Sequence, residues 1–486
     1  MVGARRIINS VLHIGLLGGF AVLMWRHPLP SAAPPASASE SATASASATA
    51  PPVTSTAASD PQSSAPAPAP DPAAPPPVLR VAALGWELLA PGVLANDGLD
   101  PGPASEFTAA KIEAHFAAVA DMDALQKQLA RGGGDDKGAD VALLPLPDFV
   151  ASYERLRGLD PQVFFVIGWS YGRDALARGQ QKSLAKLPPR DKITVAARPG
   201  QSSALLALFA LDLAGVPPDR VEFVGDDKTP AMFVAVDRSL RPKRDRTDAR
   251  DLLLTTADAT ELVPLVAIAP AGYIQRNAAL LESWARLWLA ATARLRSDVP
   301  AASRRLSRET GAPEPVDLLD GLGWIRHASL LDNAHLAGLS GRGAVTISEL
   351  FHRDWTLWRG VGLLSTPVPE RLPMTNEIVS RVVLGDPGAP PPADERRPRR
   401  GERRSLLVHA VPGDTLDPQA LVAEIGFIAG VFARSEIEVR LRKRAGKLGP
   451  LLESAAHRFG LDRERLLEGK AHASGPLAYI EVFAAE

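Results

Sequence analysis

Apolar and polar positions along the chain form two regions in which strand-like runs are separated by helical ones. In the first region, an acidic first turn predicts a helix at Asp121–Gly132, among apolar runs that predict strands at Val78–Leu84, Lys111–Val119 and Asp140–Leu146. The alternation of strands and helices begins again after Pro161. It predicts a helix at Gln201–Ala214 and strands at Gln162–Gly168, Lys192–Ala197, Arg220–Val224 and Glu261–Ala269. Alternating strands and helices are typical of α/β proteins, so the pattern predicts two lobes, each with a parallel-rich sheet and flanking helices.

Helical periodicity dominates after Asn277. The segment Leu280–Ser297 places apolar side chains at intervals of three and four residues, which is the spacing of one helix face. These side chains are Leu281, Trp284, Leu287, Trp288 and Ala291. A stripe of this kind is typical of a packed surface, so we expect the helix to cover a core.

The end of the chain predicts a separate small α+β unit over residues 405–486. Its elements follow in the order strand, helix, strand, helix, strand: Ser405–Val411, Pro418–Arg434, Glu436–Arg442, Arg444–Gly460 and Leu477–Phe483. The preceding stretch Gly385–Arg404 is rich in Pro, Gly and Arg, which predicts a solvated basic linker. Contact of its arginines with an anionic lipid or polymer is the alternative.

The amino terminus predicts export from the cytoplasm. Arg5 and Arg6 precede an apolar run at Ile7–Trp25 that is just long enough to cross a bilayer. Residues 1–27 are therefore either a signal anchor held in the inner membrane or a cleaved signal peptide, and both place the rest of the chain outside the cytoplasm. Residues 28–77 are almost only Ala, Pro, Ser and Thr, a composition that predicts a disordered linker.

Composition excludes several function classes. The chain of 486 residues has no cysteine, which rules out disulfides, thiolate metal sites and cysteine nucleophiles. A formal net charge of -1 gives no electrostatic reason to bind nucleic acid. The sequence also has no helical His pair, no Gly-x-Ser-x-Gly elbow and no phosphate loop that ends in Gly-Lys-Ser/Thr. We therefore expect a protein that is not an enzyme and that needs neither a metal nor a cofactor.

One helix start carries candidate chemistry. The segment Arg198–Ser203 places a glycine and small polar side chains directly before an apolar helix. A helix N-terminus presents unpaired N–H groups and a partial positive charge, so it can hold an anion. Serine is also a preferred capping residue, and the alternative of plain capping stays open.

Three segments carry a resemblance to a known family. "LGWELLAPGVLANDGL" (Leu84–Leu99), "ADVALLPLPDFV" (Ala139–Val150) and the long segment Lys182–Val224 resemble the periplasmic substrate-binding proteins of the nitrate, sulfonate and taurine ABC-transporter type. The resemblance extends from Val78 to about Leu364, within a domain that we place at residues 78–384. It implies a bilobed fold in which two α/β lobes close around a small ligand, with an ABC permease as a possible partner.

The resemblance also implies which residues would contact the ligand. They are Trp86, Glu87, Leu146, Pro147, Ser170, Tyr171, Gln201, Ser202, Ser203 and Thr256. In open α/β sheets, strand C-termini and helix N-termini converge on one crevice, which makes this set physically sensible. We expect Ser202 to lie near Trp86 and Ser170 across the cleft.

The sequence departs from the family pattern in one place. Where the family has an Asp-Ala-Ala-x-x-Trp-Glu-Pro-like strand and turn, this chain has the charged stretch Pro230–Asp251. Two functions are therefore carried forward. The first is a tethered extracytoplasmic receptor for a small anionic or zwitterionic ligand. The second is a structural envelope protein without a transport role, which links the inner membrane to the cell wall or to a partner.

The tail resembles a second family, the OmpA-like C-terminal domains. Leu406–Arg440 looks like that family's first strand, long helix and second strand, and Gly460–Phe483 looks like its closing segment. The resemblance implies peptidoglycan binding, and Arg444 matches the arginine that would bind a stem-peptide carboxylate. The loop that would supply the family's Asp is missing, so a plain surface arginine is the alternative for Arg444.

Overall fold

A computed structural model shows the architecture of the chain. It describes residues 75–184, 187, 192–225, 230–238, 251–339, 343–385, 403–443 and 445–484. The predicted membrane segment, nearly all of the predicted disordered linker, most of the basic linker and Arg444 lie outside the described residues. Within these ranges, no helix combines the length and the apolar character that a bilayer span requires.

Strands and helices alternate through most of the described part. Its strands are β1 (Val78–Leu84), β2 (Glu113–Val119), β3 (Val141–Pro145), β4 (Pro161–Ser170), β5 (Asp174–Arg178), β6 (Ile193–Ala196), β7 (Val221–Phe223), β8 (Phe233–Asp237), β9 (Leu252–Thr255), β10 (Pro264–Pro270), β11 (Ile325–His327), β12 (Ser405–Val411), β13 (Glu436–Leu441), β14 (Leu466–Glu468) and β15 (Ala478–Phe483). Its helices are α1 (Trp86–Asn96), α2 (Glu106–Ala109), α3 (Met122–Arg131), α4 (Leu146–Leu156), α5 (Ser202–Leu213), α6 (Ala271–Arg276), α7 (Ala278–Ser297), α8 (Val299–Leu306), α9 (Pro315–Gly323), α10 (Leu330–Leu336), α11 (Ile347–Gly360), α12 (Glu377–Gly385), α13 (Pro418–Val431) and α14 (Gly449–Phe459).

The first lobe is built on a six-stranded sheet in the order β11-β4-β10-β3-β1-β2. Every residue of β3 and β4 is buried, because helices cover both faces of this sheet. On one face, Trp284 and Trp288 of α7 lie fully buried, and the Trp284 ring packs edge-on against Phe164 and Phe165 of β4. The prediction that the α7 stripe is a packed face is confirmed.

The second lobe is built on a five-stranded sheet in the order β7-β6-β8-β5-β9. Two connections join it to the first sheet, Tyr171–Arg173 between β4 and β5 and Thr256–Val263 between β9 and β10. We call these the inter-lobe connections. The prediction of two sheets with flanking helices is confirmed, and the mixed α/β class with it.

The prediction that both sheets are parallel-rich is wrong. In the first sheet β1 runs parallel to β2 and β3, but β10 runs antiparallel to β3 and β4, and β11 antiparallel to β4. In the second sheet β6 runs parallel to β7 and β8, whereas β5 runs antiparallel to β8 and β9. The reason is topological: parallel neighbours need a long crossover, and the short inter-lobe connections instead bring strands back in the opposite direction.

Helix α11 spans both lobes. Phe351 packs against Phe149 of α4 in the first lobe, with ring centroids 6.4 Å apart. Trp358 lies 6.4 Å from the ring of Phe223 in the second lobe, and its indole N–H donates to the Pro147 carbonyl at 3.2 Å. The lobes thus share a continuous apolar core on the side that α11 covers.

A third sheet, in the order β12-β15-β13-β14, carries α13 and α14 and forms what we call the carboxy-terminal module, residues 403–443 and 445–484. Its five predicted elements occur in the predicted order, and the short strand β14 is additional. The module packs against α5 of the second lobe, where Phe209 lies 6.3 Å from the rings of Phe427 and Phe432. It is therefore joined to the two lobes by an apolar contact as well as by the linker.

Candidate functional site

Three helix N-termini point into the space between the lobes. Helices α1, α4 and α5 begin directly or shortly after the buried strands β1, β3 and β6. Gly85 permits the sharp turn from β1 into α1, because its φ of 111° is strained for other residues and a Cβ there would lie 2.8 Å from the Glu87 carboxylate. This convergence places the predicted segments around Glu87, Pro147 and Ser202 at one location.

Asp174 joins three of the predicted residues. One oxygen of its carboxylate accepts from the Ser170 hydroxyl at 2.6 Å, and the other accepts from the Ser202 hydroxyl at 2.7 Å. The Thr256 hydroxyl lies 2.8 Å from that of Ser170 and accepts from the backbone N–H of Gly172 at 2.9 Å. Asp174 is completely buried, so this network is a fixed part of the floor of the site.

Arg173 forms an ion pair across the lobes. Its side chain is 7% exposed and its Nη1 lies 3.2 Å from Oε1 of Glu87, which belongs to the first lobe. Its Nη2 donates to Asp237 of the second lobe at 3.0 Å. Removing one member of a buried ion pair leaves an uncompensated charge, which makes such pairs costly to break. Glu87, Arg173 and Asp237 together hold the lobes closed at this point.

The side chain of Asp148, a residue of α4, lies at the start of helix α5. The residue lies in the first turn of α4, and the backbone N–H of Ser202 is near enough to its carboxyl group to act against the rise of its pKa. The carboxyl oxygen Oδ1 is buried and has no hydrogen-bond partner among the described residues. A carboxyl group of the protein itself therefore lies at the N-terminus of α5, where an anionic ligand would otherwise be favoured.

Among the described residues of this space, carboxyl groups outnumber cations. Glu87, Asp148, Asp174 and Asp237 face Arg173, while Arg238 lies beside them, donates to the Gly172 carbonyl at 2.9 Å and lies 5.5 Å from the Trp324 ring. Burial raises the pKa of Asp174 to about 6, and the neighbouring Asp237 adds to the rise. Burial raises the pKa of Asp148 well above its ordinary value, and it raises the pKa of Glu87 although Arg173 opposes it. Among the described residues, the acidic groups at this site therefore exceed the basic ones.

The structure separates the predicted site residues into groups. Ser170, Ser202 and Thr256 come together through Asp174, and Glu87 reaches them through Arg173. The other predicted residues are arranged differently. Leu146 and Ser203 are buried, Pro147 is buried with its carbonyl bound to Trp358, Trp86 packs against the first-lobe core, and Gln201 is the half-buried residue that precedes α5.

Tyr171 faces the carboxy-terminal module. Its hydroxyl accepts a hydrogen bond from the Arg434 guanidinium, which lies 5.7 Å from the centre of its ring. This contact uses the polar end of the side chain that the sequence suggested for a ligand. Sequence reasoning did not anticipate the contact, because the two residues are far apart in the chain.

Sequence reasoning missed the charged residues of the site: Asp148, Arg173, Asp174 and Asp237. Each has a signal in retrospect. Arg173 and Asp174 interrupt a stretch whose neighbours are buried, and Asp237 ends the strand β8 inside the region that the sequence suggested was only a charged stretch. A charge within an apolar run is expected to be paired if it is buried.

The carboxy-terminal module has a pocket of its own. Its volume is about 530 Å³, and it lies at the N-terminal end of α14. Arg442, Lys443, Lys447 and Glu468 are among its lining residues. Arg442 also donates to the Asp414 carboxylate at 3.2 Å, so part of its charge is balanced. Arg444 follows directly in sequence. In the part of the chain that is described, no group of three His, Asp or Glu side chains could hold a metal ion.

No protein-family model and no curated protein matches the chain. Among solved structures, the periplasmic aliphatic sulphonate binding protein SsuA from Escherichia coli is similar at 14% identity and a TM-score of 0.42, over 61% of this chain and 95% of that one. A Candida albicans gene product with the generic periplasmic binding protein fold is similar at 12% identity and a TM-score of 0.41, over 64% and 95%. The desulfurization enzyme DSZB is similar at 10% identity and a TM-score of 0.36, over 63% and 99%. These similarities assign the chain no ligand or activity.

Proposed function

We propose that the two lobes form an extracytoplasmic solute-binding module of the periplasmic-binding-protein type, and that its small ligand carries a positively charged group. The observation that carries this proposal is the set of carboxyl groups between the lobes, fully buried at Asp174 and partly buried at Glu87 and Asp148, with one buried oxygen of Asp148 that lacks a hydrogen-bond partner among the described residues. An ammonium or guanidinium group would supply the missing hydrogen bonds and charge.

The same charges disfavour a simple anion. The N–H groups at the start of α5 that would attract it already face Asp148. Arg173 is already paired with Glu87 and Asp237. Two like charges at about 4 Å repel by about 4 kcal/mol at the effective dielectric of a protein surface, so an anion would need compensation that the described residues of the site do not offer. Of the anionic and zwitterionic ligands that the sequence suggested, we therefore retain the zwitterion.

A zwitterion fits both signs of charge. Its ammonium group can approach Asp148 and Asp174, while its carboxylate can share Arg173 with the acids that now hold it. Entry requires the lobes to part, since the Glu87–Arg173 ion pair spans them. The proposed role is capture rather than catalysis, outside the cytoplasm, with delivery to an ABC permease. The apolar run at residues 1–27 supports export, as signal peptide or as inner-membrane anchor.

A second candidate function concerns the carboxy-terminal module. We propose that it is OmpA-like and that its basic pocket holds carboxylates of peptidoglycan, which would link the two lobes to the cell wall. Lys443 and Lys447 line the pocket beside the start of α14, and both features favour an anion. Arg444 follows Lys443 in the sequence and would add a further cation.

The ligand class can be tested by thermal shift and calorimetry on the full chain. We expect lysine, arginine or another zwitterionic amino acid to raise the Tm by several degrees near saturation, because binding at about 100 Kd adds about 2.7 kcal/mol. Nitrate and an alkanesulfonate should leave the Tm unchanged. Asp148→Asn should weaken the binding at least tenfold, whereas Asp219→Asn, at an exposed position of the second lobe, should not. A Tm rise with the anions alone would contradict the proposed charge of the ligand.

The pH dependence of stability tests the carboxyl groups. A carboxyl whose pKa is higher in the folded state than in the unfolded state stabilises the protein at low pH, and this stabilisation is lost as the pH rises through the folded value. For Asp174, with a folded pKa of about 6, the expected loss between pH 4 and pH 7.5 is about 2 kcal/mol. Asp174→Asn should remove this component, so that the Tm difference from wild type changes with pH around 6. If plots of Tm against pH for Asp174→Asn and for the wild type run parallel from pH 4.5 to 8, the ionisation of a buried Asp174 in this range is contradicted.

Wall binding can be tested with purified peptidoglycan sacculi and the full chain. The Lys443→Glu/Lys447→Glu double variant should lose most of the sedimenting fraction, because it reverses two charges at the pocket. Lys470→Glu, an exposed position of the same module outside the residues that line the pocket, is the matched control. Equal sedimentation of the double variant and the control would reject this second function and leave the inter-lobe proposal intact.

A further inference from the structure

We infer that the carboxy-terminal module is a clamp on the inter-lobe connections, so that the two lobes can separate only when the module shifts away from helix α5. This inference concerns motion of the lobes and does not depend on which ligand, if any, lies between them.

The module touches the first inter-lobe connection. Arg434, which follows α13, donates to the hydroxyl of Tyr171 and lies against its ring. Tyr171 directly follows β4 and precedes Arg173, the residue that pairs with Glu87 across the lobes. A movement of this connection therefore disturbs the contact between Tyr171 and Arg434.

The module also touches the second inter-lobe connection. The backbone N–H of Glu261 donates to the carbonyl of Val431, at the end of α13, at 3.1 Å. Arg404 lies 3.9 Å from the carboxylate of Asp258 in the same connection. Both segments that join the lobes are thus bound to one small body.

A third contact attaches the module to the second lobe. Both ring nitrogens of His409 face acceptors, with Nδ1 3.0 Å from the Leu213 carbonyl at the end of α5 and Nε2 3.2 Å from Glu424. Two acceptors require two N–H donors, which only the imidazolium form has. Burial opposes this charge, but the hydrogen bonds to Glu424 and Leu213 outweigh it and raise the pKa of His409; Asp212 and Arg353 are the other charged groups nearby.

A close approach completes the arrangement. Gly430 of α13 lies against the segment that precedes α11, and a Cβ on Gly430 would lie 2.6 Å from the Ala344 Cβ and 2.7 Å from Val345. Helix α11 itself spans the lobes. Any side chain at position 430 would consequently push the module away from this segment.

The clamping end of the module is rigid. Arg465 donates to three carbonyls at the end of α13, those of Ala429 at 3.1 Å, Phe432 at 2.7 Å and Ser435 at 3.0 Å. This fixes Val431 and Arg434 relative to each other. Hinge opening changes the relative positions of the connecting segments and of the lobes. A rigid body that binds both connections and α5 must therefore yield before the lobes can rotate.

The test uses pairs of spin labels in the full chain, which has no native cysteine to interfere. Lys127→Cys and Glu222→Cys report the distance between the lobes, and Ser454→Cys with Glu222→Cys reports the position of the module; all three positions are exposed. The Gly430→Leu variant is designed to push the module away from the segment that precedes α11. Ala423→Leu, an exposed position on the same helix, is the matched control.

We expect Gly430→Leu to lengthen or broaden both distance distributions and Ala423→Leu to leave both as in the wild type. A module that moves while the inter-lobe distance stays at its wild-type value would overturn the inference. The Arg434→Ala/His409→Ala double variant removes two polar contacts between the module and the rest of the protein, and so tests the same attachment independently. If the module stays in place in both variants, these contacts do not hold it and the inference is equally refuted.

Discussion

The ion pair between Arg173 and Glu87 is the contact on which the arrangement of the lobes depends. It joins a strand start in the second lobe to the first turn of a helix in the first lobe, and Asp237 holds the same guanidinium from the other side. Because these groups are largely removed from water, their attraction is strong, and so is the penalty for separating them. Arg173 therefore contributes both to the contact between the lobes and to the charge of the space between them.

The space between the lobes combines helix N-termini with acidic side chains. Three helix N-termini converge there, an arrangement that by itself attracts negative charge. The chain fills it with its own carboxylates and adds a bonded network of Ser170, Ser202 and Asp174. Among the described residues, carboxyl groups outnumber cations there, and this balance gives the proposed ligand its chemical class. In the sequence, the start of α5 suggested a site for an anion. In the fold, a carboxyl group of Asp148 lies there instead.

Much of the fold could be predicted from the sequence because the buried faces of strands and helices place apolar residues in runs or at regular spacing along the chain. The buried strands β1, β3 and β4 appear as apolar runs, and the Trp284 face of α7 appears at helical spacing. The strands β5 and β8 were missed because they are short and bounded by charges, and the antiparallel pairings depend on connections between lobes that local pattern does not record. Ser170, Ser202 and Thr256 belong to the set of residues that the family resemblance suggested, whereas their link through Asp174, and the contact between Tyr171 and Arg434, arise only from tertiary packing.

The most direct test of the account is the coupling free energy between Glu87 and Arg173, measured with a double-mutant cycle of Glu87→Gln and Arg173→Met in denaturant unfolding of the full chain. The account predicts that Arg173→Met alone costs about 3–5 kcal/mol, because it leaves buried carboxylates unpaired. The double variant should cost less than the sum of the single variants by about 1–3 kcal/mol. Additivity within about 0.5 kcal/mol would contradict the central claim, since it would mean that the two side chains do not hold the lobes together.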